Sequence, residues 1–165
     1  DSFLSFIISG SLRISEIFFS VKQVREREAF YDCPANIGSP ADVNKAIRAV
    51  LELETESVEK FGFFSLNSKN AIIGLHIIGV GTLNATLVHP REIFKAAILN
   101  NAASIILFHN HPSGDPTPSP DDIALTNNLV TAGKILKISV QDHVIIGERE
   151  YVSLRQRNLM CVTDN

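Results

Sequence analysis

The chain has 165 residues, 45% of them hydrophobic and 20% charged, with a net charge of −3. That balance excludes a disordered chain and suits one soluble domain. It also argues against a domain whose main work is gripping phosphate backbones, since such domains carry a basic face, although a local patch around Lys22, Arg25 and Arg27 stays open.

The first apolar run, FLSFIISG, is too short to span a bilayer and lacks the charged start of a secretory signal, so no membrane association is expected. One reading of it is a strand that docks a partner. Residues 13–22, RISEIFFSVK, read as a strand, and REREAFYDCPANIG as a connector. Ser39 followed by Pro40 is a helix start, an N-cap hydroxyl and then a residue whose missing N–H is not needed there. The helix is expected to run through ADVNKAIRAVLEL, with Val43, Ile47, Val50 and Leu51 on one face.

KFGFFSLN and AIIGLHIIGV are two apolar runs joined by Ser68, Lys69 and Asn70, the pattern of a β-hairpin. Gly79 and Gly81 lack the spacing of a dinucleotide fingerprint and read as turn glycines. A second helix is expected over 90–102, with Ile93, Ala96, Ala97 and Asn100 at helical spacing. SIILFH reads as a buried strand at 104–109. SPDDIALTNNLVTAG reads as a third helix, with Ser119 as N-cap, Pro120 at its first position and Gly133 just past its end. Two further strands, 135–140 and 142–147, and a last short element at YVSLRQ complete the chain.

Strands and helices therefore alternate, which gives an α/β or α+β class with a mixed sheet. Residues 1–38 form a strand and connector ahead of a domain at 39–165, and no second globular domain is expected. Cys33 and Cys161 make neither a CxxC zinc pair nor a disulfide framework, so a reducing cytoplasm is the expected compartment. A strand-rich edge allows pairing with a second copy of the chain.

The chemistry concentrates in HNHPSGDPTPSPDD, residues 109–122. On a strand, residues i and i+2 share a face, so His109 and His111 project together and Asn110 points away. Three prolines stiffen the following loop, each fixing its φ. The loop delivers Ser119, Asp121 and Asp122 to a helix N-terminus, whose partial positive charge favours an ionised carboxylate. The spacing H-x-H-x7-S-x2-D offers two nitrogens, one oxygen and an adjacent hydroxyl. Three protein ligands with an open fourth position is the catalytic zinc arrangement. Such an ion makes water acidic enough to attack a carbonyl, a carboxylate must carry the proton, and Ser119 is placed to hydrogen-bond the oxyanion.

Each residue also has a plainer reading. Ser119 and Asp122 form a capping-box pattern, which is compatible with a ligand role. Asp115 in the loop reads as an Asx turn and Asp121 as a solvent-facing charge. His143 reads as a structural histidine or a partner of the site, His89 as a helix-start residue and His76 as a strand residue.

These words resemble the JAMM/MPN metalloprotease signature, and their setting resembles the RadC-like branch: HPREIFKAAILNNAASIILFHNHPSGDPTPSPDDIALTNNL followed by ISVQDHVIIGEREYVSL. The resemblance covers roughly residues 40–157. It implies a cytidine-deaminase-like α/β sandwich, a mixed sheet flanked by helices. It implies a zinc (Zn2+) hydrolase acting on peptide or isopeptide bonds, with His109, His111 and Asp122 as ligands and Ser119 in the oxyanion role. The general acid/base it implies is a glutamate two residues before the first hairpin aromatic, which points to Glu59; Glu52, Glu54 and Glu56 lie close by. RadC proteins typically carry an N-terminal helical domain thought to bind nucleic acid, and this sequence reads as the catalytic module without it. A deaminase would need H-x-E and P-C-x-x-C, which are missing. The other reading is a non-enzymatic protein- or nucleic-acid-binding module, associated with DNA repair, in which zinc is structural.

Overall fold

A computed structural model describes residues 34–81 and 88–161. The expected strand at 13–22, the basic patch and Cys33 lie outside the described residues. Among these there are three α-helices, α1 (Pro40–Leu51), α2 (Pro90–Leu99) and α3 (Pro120–Leu136), and a short 3-10 turn at Leu53–Thr55. The α-helices flank a sheet of β1 (Lys60–Leu66), β2 (Ile72–Val80), β3 (Ser104–Asn110), β4 (Ser139–Ile146) and β5 (Tyr151–Ser153).

The sheet order is β2-β1-β3-β4-β5. Only β3 and β4 run parallel; the other neighbours are antiparallel. The sheet is mixed and the class α/β. Alternation along β3 divides the core in two. Ile105 and Leu107 pack with Phe61, Phe63, Ile93, Phe94 and Leu129 under α2 and α3. Ile106 and Phe108 pack with Val43, Ile47, Phe64 and Val144 under α1. Every residue of β3 is buried, as expected of a central strand covered on both faces.

Local chemistry explains the element ends. Ser39 caps α1, its hydroxyl accepting from the Asp42 N–H at 3.3 Å and donating to Oδ2 of Asp42 at 2.9 Å. The helix stops at Leu51 rather than 53, because Glu52 turns left-handed at φ 49°. Likewise α2 ends at Leu99, not 102. Asn101 takes φ 52° and the Ala102 N–H returns to the Ala97 carbonyl at 3.0 Å, a left-handed terminus. The hairpin turn is held by the Asn67 side chain, which accepts from the N–H groups of Lys69 and Ala71. Gly79 sits inside β2, paired with Phe61, so it is no turn glycine. Gly81, at φ 117°, is one.

Two expectations near the C-terminus are corrected. The third helix does not end at Gly133 and no strand begins at 135. Helix α3 continues to Leu136 and is closed by left-handed Lys137. Gly133 serves close packing: a Cβ there would lie 2.5 Å from the Ile138 carbonyl oxygen. Gly133→Ala is therefore expected to destabilise the fold by about 1–3 kcal/mol through overpacking, although alanine gains about 1 kcal/mol in helix propensity. Urea unfolding checks this, and a raised midpoint would contradict the close approach.

The break expected at residue 141 is not a gap between two strands. It is a β-bulge in one strand, β4. Ile105 pairs with Val140, and Ile106 with Asp142, so Gln141 is the extra residue. The bulge shifts the alternation. After it, Asp142, Val144 and Ile146 face α1, while His143 and Ile145 face α3. Without it His143 would point to the opposite side of the sheet.

Candidate metal centre

The end of β3 and the start of α3 meet over the C-terminal half of β4. His109 is fully buried on the α3 side of the sheet. Its Nε2 lies 2.9 Å from Nε2 of His111. The strand ends at Asn110, and His111 holds its direction because its N–H donates to the Ile146 carbonyl at 3.0 Å. Its Nδ1 is 2.8 Å from the Asp115 carbonyl oxygen. A carbonyl only accepts, so Nδ1 carries the proton and Nε2 faces the centre.

The proline loop folds back to supply that carbonyl. Asp115 itself makes the Asx turn, accepting from the N–H and hydroxyl of Thr117 at 2.9 and 2.7 Å. Asp121 is exposed. Asp122 points inward, its Oδ1 3.3 Å from Nε2 of His109 and its Oδ2 3.6 Å from Nε2 of His111. The capping box is complete: Oδ2 of Asp122 accepts from the N–H and hydroxyl of Ser119, both at 2.7 Å, and the Asp122 N–H donates to Ser119 Oγ at 3.1 Å. The cap occupies one carboxylate oxygen and aims the other at His109.

Glu59 stands at the entry to β1, with Oε1 3.9 Å from Nε2 of His109. One donor atom from each of Glu59, His109 and His111 falls within 4.8 Å of the others, a grouping that can hold a metal ion. The neighbouring acids are engaged elsewhere, Glu54 with Arg48 at 3.0 Å and Glu56 with Lys60. Asn110, on the far side of the strand from His109, clamps the Glu59 segment. It accepts from the Lys60 N–H at 2.8 Å and donates to the Val58 carbonyl at 3.2 Å. The Gly81 N–H holds the Glu59 carbonyl at 2.8 Å.

Behind His109 lies a buried row of polar groups. Its Nδ1 is 2.8 Å from Nε2 of His143, whose Nδ1 is 2.6 Å from Oγ1 of Thr126. All three side chains are fully buried. The ring of Phe61 lies 6.2 Å from that of His109 and edge-on, 5.6 Å, to that of His143. The sequence left His143 open between structural and site roles and passed over Thr126. Its signal was present only as Thr126 four residues after Asp122, one turn along the same helix face.

Charge follows burial. Desolvation pushes His109 well below its ordinary value, with the neighbouring His143 adding to the effect, and lowers His143 to about 4. Both rings are neutral near pH 7. Burial tends to raise Asp122, but the close approach of His111, the field at His109 and the two Ser119 donors outweigh it and keep it ionised. The Asp122 carboxylate raises His111 above its usual 6.5, against partial desolvation. Any cation must displace that proton. Metal affinity is thus expected to fall by about tenfold per pH unit below the His111 pKa, with the decline already visible above pH 6.5. Chelator competition across pH 6–8 checks it, and a flat profile would contradict a proton held at His111.

The donor set fits a small divalent ion. Ligands bound at about 2.0–2.1 Å around a tetrahedral centre lie about 3.3 Å apart. The separations of Oδ1 of Asp122 and Nε2 of His111 from Nε2 of His109, 3.3 and 2.9 Å, are of that size. The remaining edges are longer, Oδ2 of Asp122 3.6 Å from Nε2 of His111 and Oε1 of Glu59 3.9 Å from Nε2 of His109, and Glu59 still falls in the grouping that can hold an ion.

A family model described as a RadC-like JAB domain matches residues 37–159. The chain belongs to the RadC-like JAB family. It is 44% identical over 151 residues to a UPF0758 protein of Moorella thermoacetica, covering 92% of this chain and 65% of the relative. A UPF0758 protein of Methanosarcina barkeri is 40% identical over 152 residues, with coverages of 92% and 66%. One from Syntrophomonas wolfei is 49% identical over 126 residues, with coverages of 75% and 54%. The chain thus spans roughly two thirds of the length of these relatives or less. Among the described residues no helix is long and apolar enough to cross a membrane.

Proposed function

We propose that this RadC-like JAB domain is a zinc-dependent hydrolase that cleaves an amide bond, in a peptide or an isopeptide. The observation that carries the reading is the convergence of two imidazole Nε2 atoms, 2.9 Å apart, with two carboxylates, Asp122 at 3.3 Å and Glu59 at 3.9 Å from the His109 nitrogen. His109, His111 and Asp122 would hold the ion. When bound, zinc supplies Lewis acidity, lowering the pKa of a water and polarising a carbonyl.

The remaining work falls to the side chains. Glu59 accepts a proton from the attacking water and returns it to the departing amine, so that it ends the cycle ionised as it began. Its backbone clamps limit the space its carboxylate can sample. Ser119 Oγ, now donating to Asp122, turns its proton to the oxyanion as negative charge gathers there. Cytoplasmic location, read from cysteine usage, belongs to the same proposal.

The test is hydrolysis by the zinc-loaded chain in 18O-labelled water, with panels of peptides and isopeptide-linked conjugates read by mass spectrometry. The expected product is an amine and a carboxylate carrying one 18O. Fully zinc-loaded protein that cleaves neither panel would overturn the hydrolase reading and leave a zinc-stabilised binding module.

A further inference from the structure

The hydrogen-bond row behind His109 has a direction, and it can be read from one contact. Oγ1 of Thr126 lies 2.6 Å from the backbone carbonyl oxygen of Asp122. Two oxygens that close need a proton between them, and a carbonyl has none to give. The Thr126 hydroxyl proton therefore sits on that contact. A hydroxyl has one proton, so towards His143, at 2.6 Å, Thr126 can only accept. Nδ1 of His143 carries the hydrogen and Nε2 of His143 bears a lone pair. That lone pair faces Nδ1 of His109 at 2.8 Å and takes its proton. His109 is left with Nδ1–H inside and a bare Nε2 pointing at Asp122 and His111.

We infer that Thr126 and His143 are positioning residues that lock His109 in its Nδ1–H tautomer, so that Nε2 is free to bind a cation. The inference rests on the metal-centre reading of His109. Metal-ligating histidines usually donate their second N–H to a carboxylate or a backbone carbonyl. Here the acceptor is another neutral imidazole, and the row ends on a carbonyl of the helix that carries the Asp122 carboxylate. Three features of the fold make this possible. The bulge at Gln141 turns His143 to the α3 face. Helical spacing sets Thr126 one turn behind Asp122. Full burial removes water that would scramble the proton positions. One element, α3, thus presents a carboxylate to the centre and fixes the tautomer of the ligand opposite it.

The experiment uses the full chain labelled with 15N-histidine; with five histidines the spectrum is assignable. In metal-free protein near pH 7, long-range 15N–1H correlations are expected to show His109 and His143 protonated at Nδ1 and bare at Nε2. Thr126→Val keeps the shape and deletes the hydroxyl. It is expected to leave His109 as a mixture of tautomers and to weaken zinc binding by about 10–100-fold in chelator competition. Thr126→Ser, which restores the hydroxyl, is expected to recover both. A wild-type His109 protonated at Nε2 would overturn the inference before any variant is made. So would Thr126→Val with unchanged tautomers and zinc affinity. If the tautomers respond to Thr126→Val as expected but wild-type protein holds no zinc, the lock stands and the metal reading falls.

Discussion

Asp122→Ala is expected to empty the centre of its cation and to loosen the helix that frames it. Purified wild-type protein should hold about one zinc per chain, and the variant little above background, by elemental analysis. Oδ1 of Asp122 lies 3.3 Å from the His109 nitrogen, nearer than the Glu59 carboxylate at 3.9 Å, and without it the two imidazoles lose the nearer of two anionic donors. The same substitution removes the acceptor of the Ser119 N–H and hydroxyl, a cap worth about 1 kcal/mol. The two losses separate in Asp122→Asn, whose amide oxygen still accepts from the Ser119 N–H. Zinc should be lost in both variants, stability mainly in the alanine. His109→Ala should lose zinc as well, and it also leaves a cavity against His143 and Phe61.

An acid limb goes with this. The folded-state pKa of Asp122 is depressed, so its stabilisation is present above the unfolded value near 4 and is lost as pH falls below it. Metal-free Asp122→Asn should therefore show a flatter fall in stability below pH 4 than metal-free wild type. Stoichiometric zinc in Asp122→Ala would remove this residue from the ligand set.

What the sequence disclosed of this centre is what local rules govern. HxH on a strand shares a face because side chains alternate, and S-x-x-D before an apolar run caps a helix because four N–H groups there lack partners. Asp115 could be set aside because Asx turns are made within two residues. The features it hid depend on the sheet. A bulge is invisible until a strand has a partner to be out of step with, so Gln141 read as a break and His143 had no assignable face. Gly133 looked like a helix stop because the Ile138 carbonyl it approaches belongs to packing, not to the helix. Asn110 looked idle for the same reason. It points away from the imidazoles, yet it bridges fifty residues to hold the segment of Glu59. Ile135 and Leu136, exposed at the end of α3, suggested a strand by composition where helical backbone continues.

Glu59→Gln is expected to leave zinc content and fold intact and to lower turnover by roughly 10²–10⁴-fold, the range for removal of a general acid/base. Glutamine has the size of glutamate, and the contacts that place the segment, from Asn110 and Gly81, are to backbone and survive the change. What is lost is the capacity to take a proton from water and deliver it to the amine. Zinc stoichiometry, thermal unfolding and turnover on one preparation check all three parts. The alternative is that Glu59, grouped with His109 and His111, is itself the third ligand. Glu59→Gln would then lose zinc while Asp122→Ala kept it. The two carboxylates thus exchange predictions, and the pair of variants assigns ligand and base without knowledge of the substrate. The 3.3 Å against 3.9 Å approach to His109 favours Asp122 as the ligand and Glu59 as the base.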